Sequence, residues 1–190
     1  VTRAAIFPAR GGSVRVPRKN IARFKGKPML QWPIEAAEAS GLFDYGVVST
    51  DDQEIAALAE ELGCSVCWRE PDDGTTGTQE IAALTIEAYP DIEQACVIYP
   101  CSPMLTGRDL VLSLQQLTPR VQWVVSWLED DDVDAGCFYW GRSWSFLQRN
   151  PLTERQARYM ADPRRFIDIN TFDDLARAEA MFNALRRDHP

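Results

Sequence analysis

Histidine is almost absent from this chain: one in 190 residues, His189, beside the final proline. That scarcity removes the imidazole ligands that would turn a cysteine pair into a zinc site. Cysteine offers little more. The five are Cys64, Cys67, Cys96, Cys101 and Cys137, an odd count that argues against a disulfide framework. Cys64 and Cys67 have CxxC spacing, but no second pair exists, so buried strand thiols are expected rather than a metal or redox centre. No apolar run approaches the ~20 residues of a membrane span, and the N-terminus lacks a signal-peptide pattern. A cytoplasmic protein without a membrane partner is expected. Positive charge is also short, with 20 Lys and Arg against 28 Asp and Glu and a formal net charge of −8. General nucleic-acid binding needs the opposite excess. Neither GxGxxG nor GxxxxGK[ST] occurs.

Against that acidic background, residues 7–20, FPARGGSVRVPRKN, gather Arg10, Arg15, Arg18 and Lys19 around the glycine pair Gly11-Gly12. The segment follows a short apolar strand, Ala4-Ala5-Ile6-Phe7. Adjacent glycines let a backbone approach a ligand and turn N–H groups toward it. Arginines bind phosphate in bidentate fashion. The local charge therefore suits a small polyanion; an exposed basic turn is the plainer alternative.

Further along, apolar periodicity predicts a helix over 28–40, in which Pro33 removes a donor if it lies past the first turn. YGVVST (45–50) reads as a strand and 51–63 as a helix with Gly63 as its C-cap. A strand follows at 64–69, a helix at 79–89, a strand at 95–99, and a helix at 107–117 capped by Thr106. VQWVVSWL and GCFYW are two more strands. A last helix spans 172–187 behind Thr171. Strands alternating with helices predict one α/β domain over 1–190, a mostly parallel sheet covered on both faces. The unusual loops (8–20, 49–52, 69–78 and 100–106) each follow a strand, which places them on the ligand-binding edge of such a sheet.

PARGGSxRxPRKN resembles the signature of the cytidylyltransferases that activate nine-carbon acidic sugars, the CMP-sialic acid synthetases and pseudaminic acid cytidylyltransferases. The similarity continues through GKPMLQWPIEAAEASGLFD, VVSTDDQEIAALAEELG, YPCSPML, DAGCFYWG and IDINTFDDLARAE. The resemblance implies a nucleotide-diphosphosugar-transferase-like, Rossmann-like fold. It implies transfer of CMP from CTP to the anomeric hydroxyl of a sialic- or pseudaminic-type acid, releasing pyrophosphate, with Mg²⁺ (Mn²⁺ possible). Carried over position by position, Arg10 and the backbone of Ala9, Gly11, Gly12 and Ser13 would hold the β- and γ-phosphates, and Lys19 would contact phosphate. Asn20 and Arg69 would recognise cytosine, with Thr76, Gly77 and Thr78 lining the base and ribose pocket. Tyr99, Ser102, Asp134, Gly136 and Tyr139 would face the sugar. Asp168, with Asn170, would hold the metal; an acidic residue near the start of the last helix is the alternative reading of Asp168.

Three departures from that pattern stand out. The lysine usual after GGS is Val14 here. The metal pair, usually Asp-x-Asp, reads Asp168-Ile169-Asn170. Between VVSWLE and DAGCFYWG, where relatives carry a longer inter-subunit segment, this chain is short, so a monomer or an atypical homodimer is expected. The departures keep two rivals beside an active enzyme: a non-catalytic nucleotide- or sugar-binding relative, and a nucleotidyltransferase for another acid, such as a smaller 2-keto sugar acid or a phosphonate.

Overall fold

Alternation sets the first strand, β1 (Arg3–Pro8): Ala5 and Phe7 face one side of a sheet, Ala4 and Ile6 the other, and all four are buried. A strand buried on both faces needs helices on both, and they are present. This computed structural model describes residues 1–13, 15–71, 74–129 and 132–188. Val14 and His189 therefore lie outside the described residues.

A two-stranded hairpin, β2 (Arg23–Phe24) and β3 (Lys27–Pro28), leads into α1 (Gln31–Ser40). The helix thus starts three residues later than periodicity suggests, because Pro28 pairs in the hairpin. Pro33 falls in the first turn, where its missing N–H would have no intrahelical partner in any case. β4 (Tyr45–Thr50) and α2 (Gln53–Glu61) follow; the C-cap of α2 is Leu62, and Gly63, at φ 76°, is the left-handed residue just beyond it. β5 (Ser65–Trp68), α3 (Thr78–Ala88), β6 (Gln94–Ile98) and α4 (Gly107–Leu114) complete the regular alternation. α4 stops at Leu114, short of the expected 117. Then come β7 (Trp123–Leu128), β8 (Val133–Arg142), a short α5 (Ser143–Leu147), β9 (Gln156–Met160) and α6 (Phe172–Asp188).

The seven main strands lie in the order β5-β4-β1-β6-β8-β7-β9. β8 is antiparallel to both neighbours and all other pairings are parallel. α1, α2 and α4 pack their Ile34, Ile55 and Leu110 on one face, and α3 and α5 pack Ile86 and Phe146 on the other. α6 covers the hairpin instead, joining Phe24 and Met29 to Ala178 and Phe182. The register of β7 on β8 shifts between Val125 and Trp127. There the buried Ser126 hydroxyl accepts from the N–H groups of Cys137 and Phe138, at 3.4 and 3.2 Å, supplying acceptors at the irregularity. No helix among the described residues is long and apolar enough to cross a membrane.

Candidate active site

The carboxyl ends of β1 and β6, the start of the antiparallel β8, and the segment before α6 all reach one edge of the sheet. They enclose a cleft of about 170 Å³. Arg10, Ser13, Arg15, Lys19 and Asn20 line it from the glycine loop, Tyr99 and Cys101 from the loop after β6, and Gly136, Asp168 and Asn170 from the far wall. Residues 10–20 and 168–170, at opposite ends of the chain, thus face each other.

The glycine loop is tied down by the loop after β4. The Gly11 N–H donates to Asp51 Oδ1 at 2.7 Å, and a Cβ at Gly11 would sit 2.5 Å from Asp52 Oδ2. Only glycine fits this approach. Asp52 caps α2 by accepting from the N–H groups of Glu54 and Ile55, both at 3.0 Å. It also pairs with Arg18, which reaches Glu54 at 3.0 Å. The Arg18 guanidinium holds the Asp52 carboxyl below its ordinary range. Arg18 is therefore committed to the scaffold, leaving Arg10, Arg15 and Lys19 as the cations on the cleft. Arg10 packs against Gly74, where a Cβ would come within 1.5 Å of its Nη1; Gly74 has φ 87°. Asp51, Asp52 and Gly74 had no expected role at the site, although their loops, 49–52 and 69–78, were expected at this edge. Their sequence signals are the acidic pair after β4, the turn-rich DDGTTGT, and the place of both loops after strands.

Other expected residues separate by depth. The Asn20 side chain is buried: its Nδ2 donates to the Arg10 carbonyl at 2.9 Å, and its Oδ1 accepts from Cys101 Sγ at 3.5 Å. These bonds brace the loop through a residue that also lines the cleft. Ala9 is wholly buried, and its N–H donates to the Ser49 carbonyl. Arg69 and Thr76 line a neighbouring hollow of about 430 Å³ beside Trp68 and Pro71. Gly77 is the N-cap of α3. The Thr78 hydroxyl lies 3.1 Å from that of Tyr139 and 3.4 Å from that of Tyr99. Tyr139 and Ser102 sit behind the cleft in the core, with Ser102 donating to the Cys137 carbonyl at 3.4 Å.

On the far wall, Asn170 Nδ2 donates to Asp168 Oδ2 at 2.6 Å, while Asn170 Oδ1 accepts from Arg15 at 3.5 Å. Asp134 accepts from the Gly136 N–H at 2.8 Å. Its carboxyl is pushed above the ordinary value, first by the protein around it and then by the charge of Asp168. Two mutually repelling carboxylates and an amide oxygen are hard donors of the kind Mg²⁺ or Mn²⁺ takes when phosphates and water complete its shell. Among the described residues no cluster of three or more Asp, Glu, His or Cys stands ready to hold an ion unaided. The donors fit a metal shared with a phosphate ligand. The thiols do not compete: burial raises Cys64 and Cys101 to about 11 and Cys137 to about 12. Cys64 lies just before β5 and Cys101 in the loop after β6, so these two are not on strands as expected.

Comparison with known proteins bears on the same edge. A pseudaminic acid cytidylyltransferase of Campylobacter jejuni is 27% identical over 219 positions, covering 93% of this chain and 94% of the relative. That alignment is longer than the 190-residue chain, so the relative carries residues absent here. A CMP:2-keto-3-deoxy-manno-octonic acid synthetase complexed with CTP shares the fold at TM-score 0.78 and 15% identity, covering 97% of this chain and all of that one. Rv0371c of Mycobacterium tuberculosis, complexed with manganese, superposes at TM-score 0.68 and 16% identity, covering 95% and 99%. The cytidylyltransferase family model matches residues 4–133, from the first strand through the glycine loop to the start of β8. With more than half of its length so matched, the chain belongs to the cytidylyltransferase family.

Proposed function

We propose that this protein transfers CMP from CTP to the anomeric hydroxyl of a sugar acid. The hydroxyl oxygen bonds to the α-phosphorus and loses its proton, and the bond to the β-phosphate breaks, releasing pyrophosphate. One observation carries the reading: Arg10, Arg15 and Lys19 converge on a single cleft opposite Asp168 and Asn170. Such a reaction asks little covalent work of the protein. It needs the nucleotide held in line and its phosphate charge neutralised.

Arg10, with Arg15 and Lys19 beside it, would take the triphosphate, and the Gly12 and Ser13 backbone would close over it. Asp168, Asn170 and Asp134 would hold a divalent cation, Mg²⁺ or Mn²⁺, which when bound neutralises phosphate oxygens. Arg69, Thr76, Gly77 and Thr78 would meet the base and ribose, and Tyr99, Gly136 and Asp134 the acid. A nine-carbon acid of the pseudaminic or sialic class is the proposed acceptor, resting on the C. jejuni relative. The short connection between β7 and β8, where Leu128 pairs with Val133, supports a monomer or a dimer built on another surface.

A second reading has its own observation. The Asn170 amide occupies an Asp168 oxygen, and Asp51 occupies the Gly11 N–H, which suits a relative that binds nucleotide without turning it over. Pyrophosphate release from CTP, with a panel of nonulosonic and smaller 2-keto acids, separates the two. Release with at least one acid, faster with CTP than with ATP, GTP or UTP, supports the enzyme. CTP binding without release on any acid supports the second reading.

A further inference from the structure

The glycine loop and the segment proposed to hold the metal, about 150 residues apart in sequence, are joined by two side chains, Arg15 to the Asn170 side chain at 3.5 Å and Lys19 to the neighbouring backbone. Lys19 Nζ donates to the carbonyl of Ile169, the residue between Asp168 and Asn170. Ile169 is wholly buried among Phe24, Met29, Ala178 and Phe182. Its carbonyl, by contrast, turns back to the loop. The N–H groups of Asn170 and Thr171 both go to Asp174, at 3.0 and 2.9 Å, so the segment is also clamped from the α6 side. Three anchors thus fix a stretch that belongs to no strand or helix: an apolar plug, a helix cap, and the Lys19 ammonium. Asp168 itself is exposed, and among the described residues it accepts a hydrogen bond from Asn170. Among the described residues, Lys19 makes the loop's bond to this backbone, while Arg15 reaches only the Asn170 side chain.

We propose that Lys19 is a positioning residue for the metal: its bond to the Ile169 carbonyl sets the Asp168–Asn170 pair at the distance from the glycine loop that a cation shared with phosphate requires. This rests on the reading that Asp168 and Asn170 hold the cation. It adds that Lys19 sets the position of the Asp168–Asn170 pair before any nucleotide arrives. The sign of the effect separates this role from electrostatics. A lysine serving only phosphate places a positive charge near the metal, so its removal would leave metal affinity unchanged or raise it. A positioning lysine predicts a loss.

The test is Mn²⁺ titration followed by electron paramagnetic resonance on the whole protein saturated with CTP, corrected for Mn²⁺ bound by CTP alone, with CTP binding measured separately by calorimetry. Lys19→Met should bind Mn²⁺ roughly tenfold more weakly, the scale of one hydrogen bond from a charged donor. Lys19→Arg, which can still reach a carbonyl, should recover most of the affinity. Arg10→Ala should weaken CTP and leave Mn²⁺ unchanged. Hydrogen exchange at residues 167–171 should quicken in Lys19→Met while the strands keep their protection, which reports on the segment without relying on metal. Unchanged or tighter Mn²⁺ binding by Lys19→Met, with CTP binding weakened, overturns the positioning role and leaves the proposed function standing. A wild type that binds CTP but no Mn²⁺ overturns this inference together with the metal assignment. A wild type that binds neither overturns the nucleotide reading itself.

Discussion

Asp109 is 2% exposed and still ionised, because its carboxylate is filled by donors. Arg165 donates at 2.6 and 2.7 Å, Tyr159 at 2.8 Å and the Thr106 N–H at 3.0 Å. Burial alone would raise this carboxyl; the hydrogen bonds outweigh it, and the net shift is downward. A carboxyl lowered in the folded state stabilises above its unfolded value of about 3.9, and that stability is lost as pH falls through the folded value. Arg165→Ala, by stranding the buried charge, should cost about 3–5 kcal/mol near neutral pH. The cost should shrink below about pH 4 as the group protonates, which urea unfolding at several pH values checks. Two further substitutions act at the cleft. Gly74→Ala must displace Arg10, so calorimetry should show weakened CTP binding with CMP, which lacks the β- and γ-phosphates, less affected. Asn170→Asp restores a second carboxylate to the metal pair and should lower the Mg²⁺ concentration for half-maximal turnover. An unchanged requirement would remove Asn170 from the metal site.

Helix starts are where individual elements touch the site or brace it. α2 begins at Asp52, whose single carboxylate caps the helix and receives Arg18. Asp52→Asn keeps a cap acceptor and loses the ion pair; Asp52→Ala loses both. Denaturant unfolding should therefore rank Ala below Asn by roughly 1 kcal/mol, the usual worth of a cap. α4 begins with a complete capping box in which Thr106 and Asp109 exchange backbone N–H bonds. Because Asp109 also anchors Arg165, this helix start connects α4 to the chain after β9. The α1 boundary carries a different lesson. Its periodicity extends back to Pro28, but pairing with Arg23 in the hairpin takes those residues first.

At the scale of the whole molecule, a chain of net charge −8 presents three cations on one cleft whose walls come from both of its ends. A ligand there should act as a staple. Any ligand selective for the folded state stabilises it by RT ln(1 + [L]/Kd), about 2.7 kcal/mol at a hundredfold excess over Kd. CTP with Mg²⁺ should raise the unfolding temperature well above the effect of an equal concentration of UTP, ATP or GTP. Equal shifts from all four would reduce the cleft to a generic phosphate site.

Much of this architecture was legible locally. The alternation of strand and helix, the caps at Thr106 and Thr171, and the glycine loop directly after β1 are encoded by neighbours a few residues apart. Periodicity and capping report such relations directly. The motif strings also put Asp168 and Lys19 in one expected site, and both line the cleft. What local pattern could not supply was pairing across distance. β8 runs antiparallel between β6 and β7, and β9, which alternates weakly and is mostly half-exposed, finds its place only as an edge strand beside β7. Tertiary structure alone decided that Arg18 serves Asp52, that Asn20 bonds the Arg10 carbonyl at the cleft, that Tyr139 sits behind it, and that Lys19 reaches Ile169. The physical reason is common to all of them. A side chain's role depends on which donor or acceptor the fold brings within about 3 Å, and folding brings together groups that no sequence window contains.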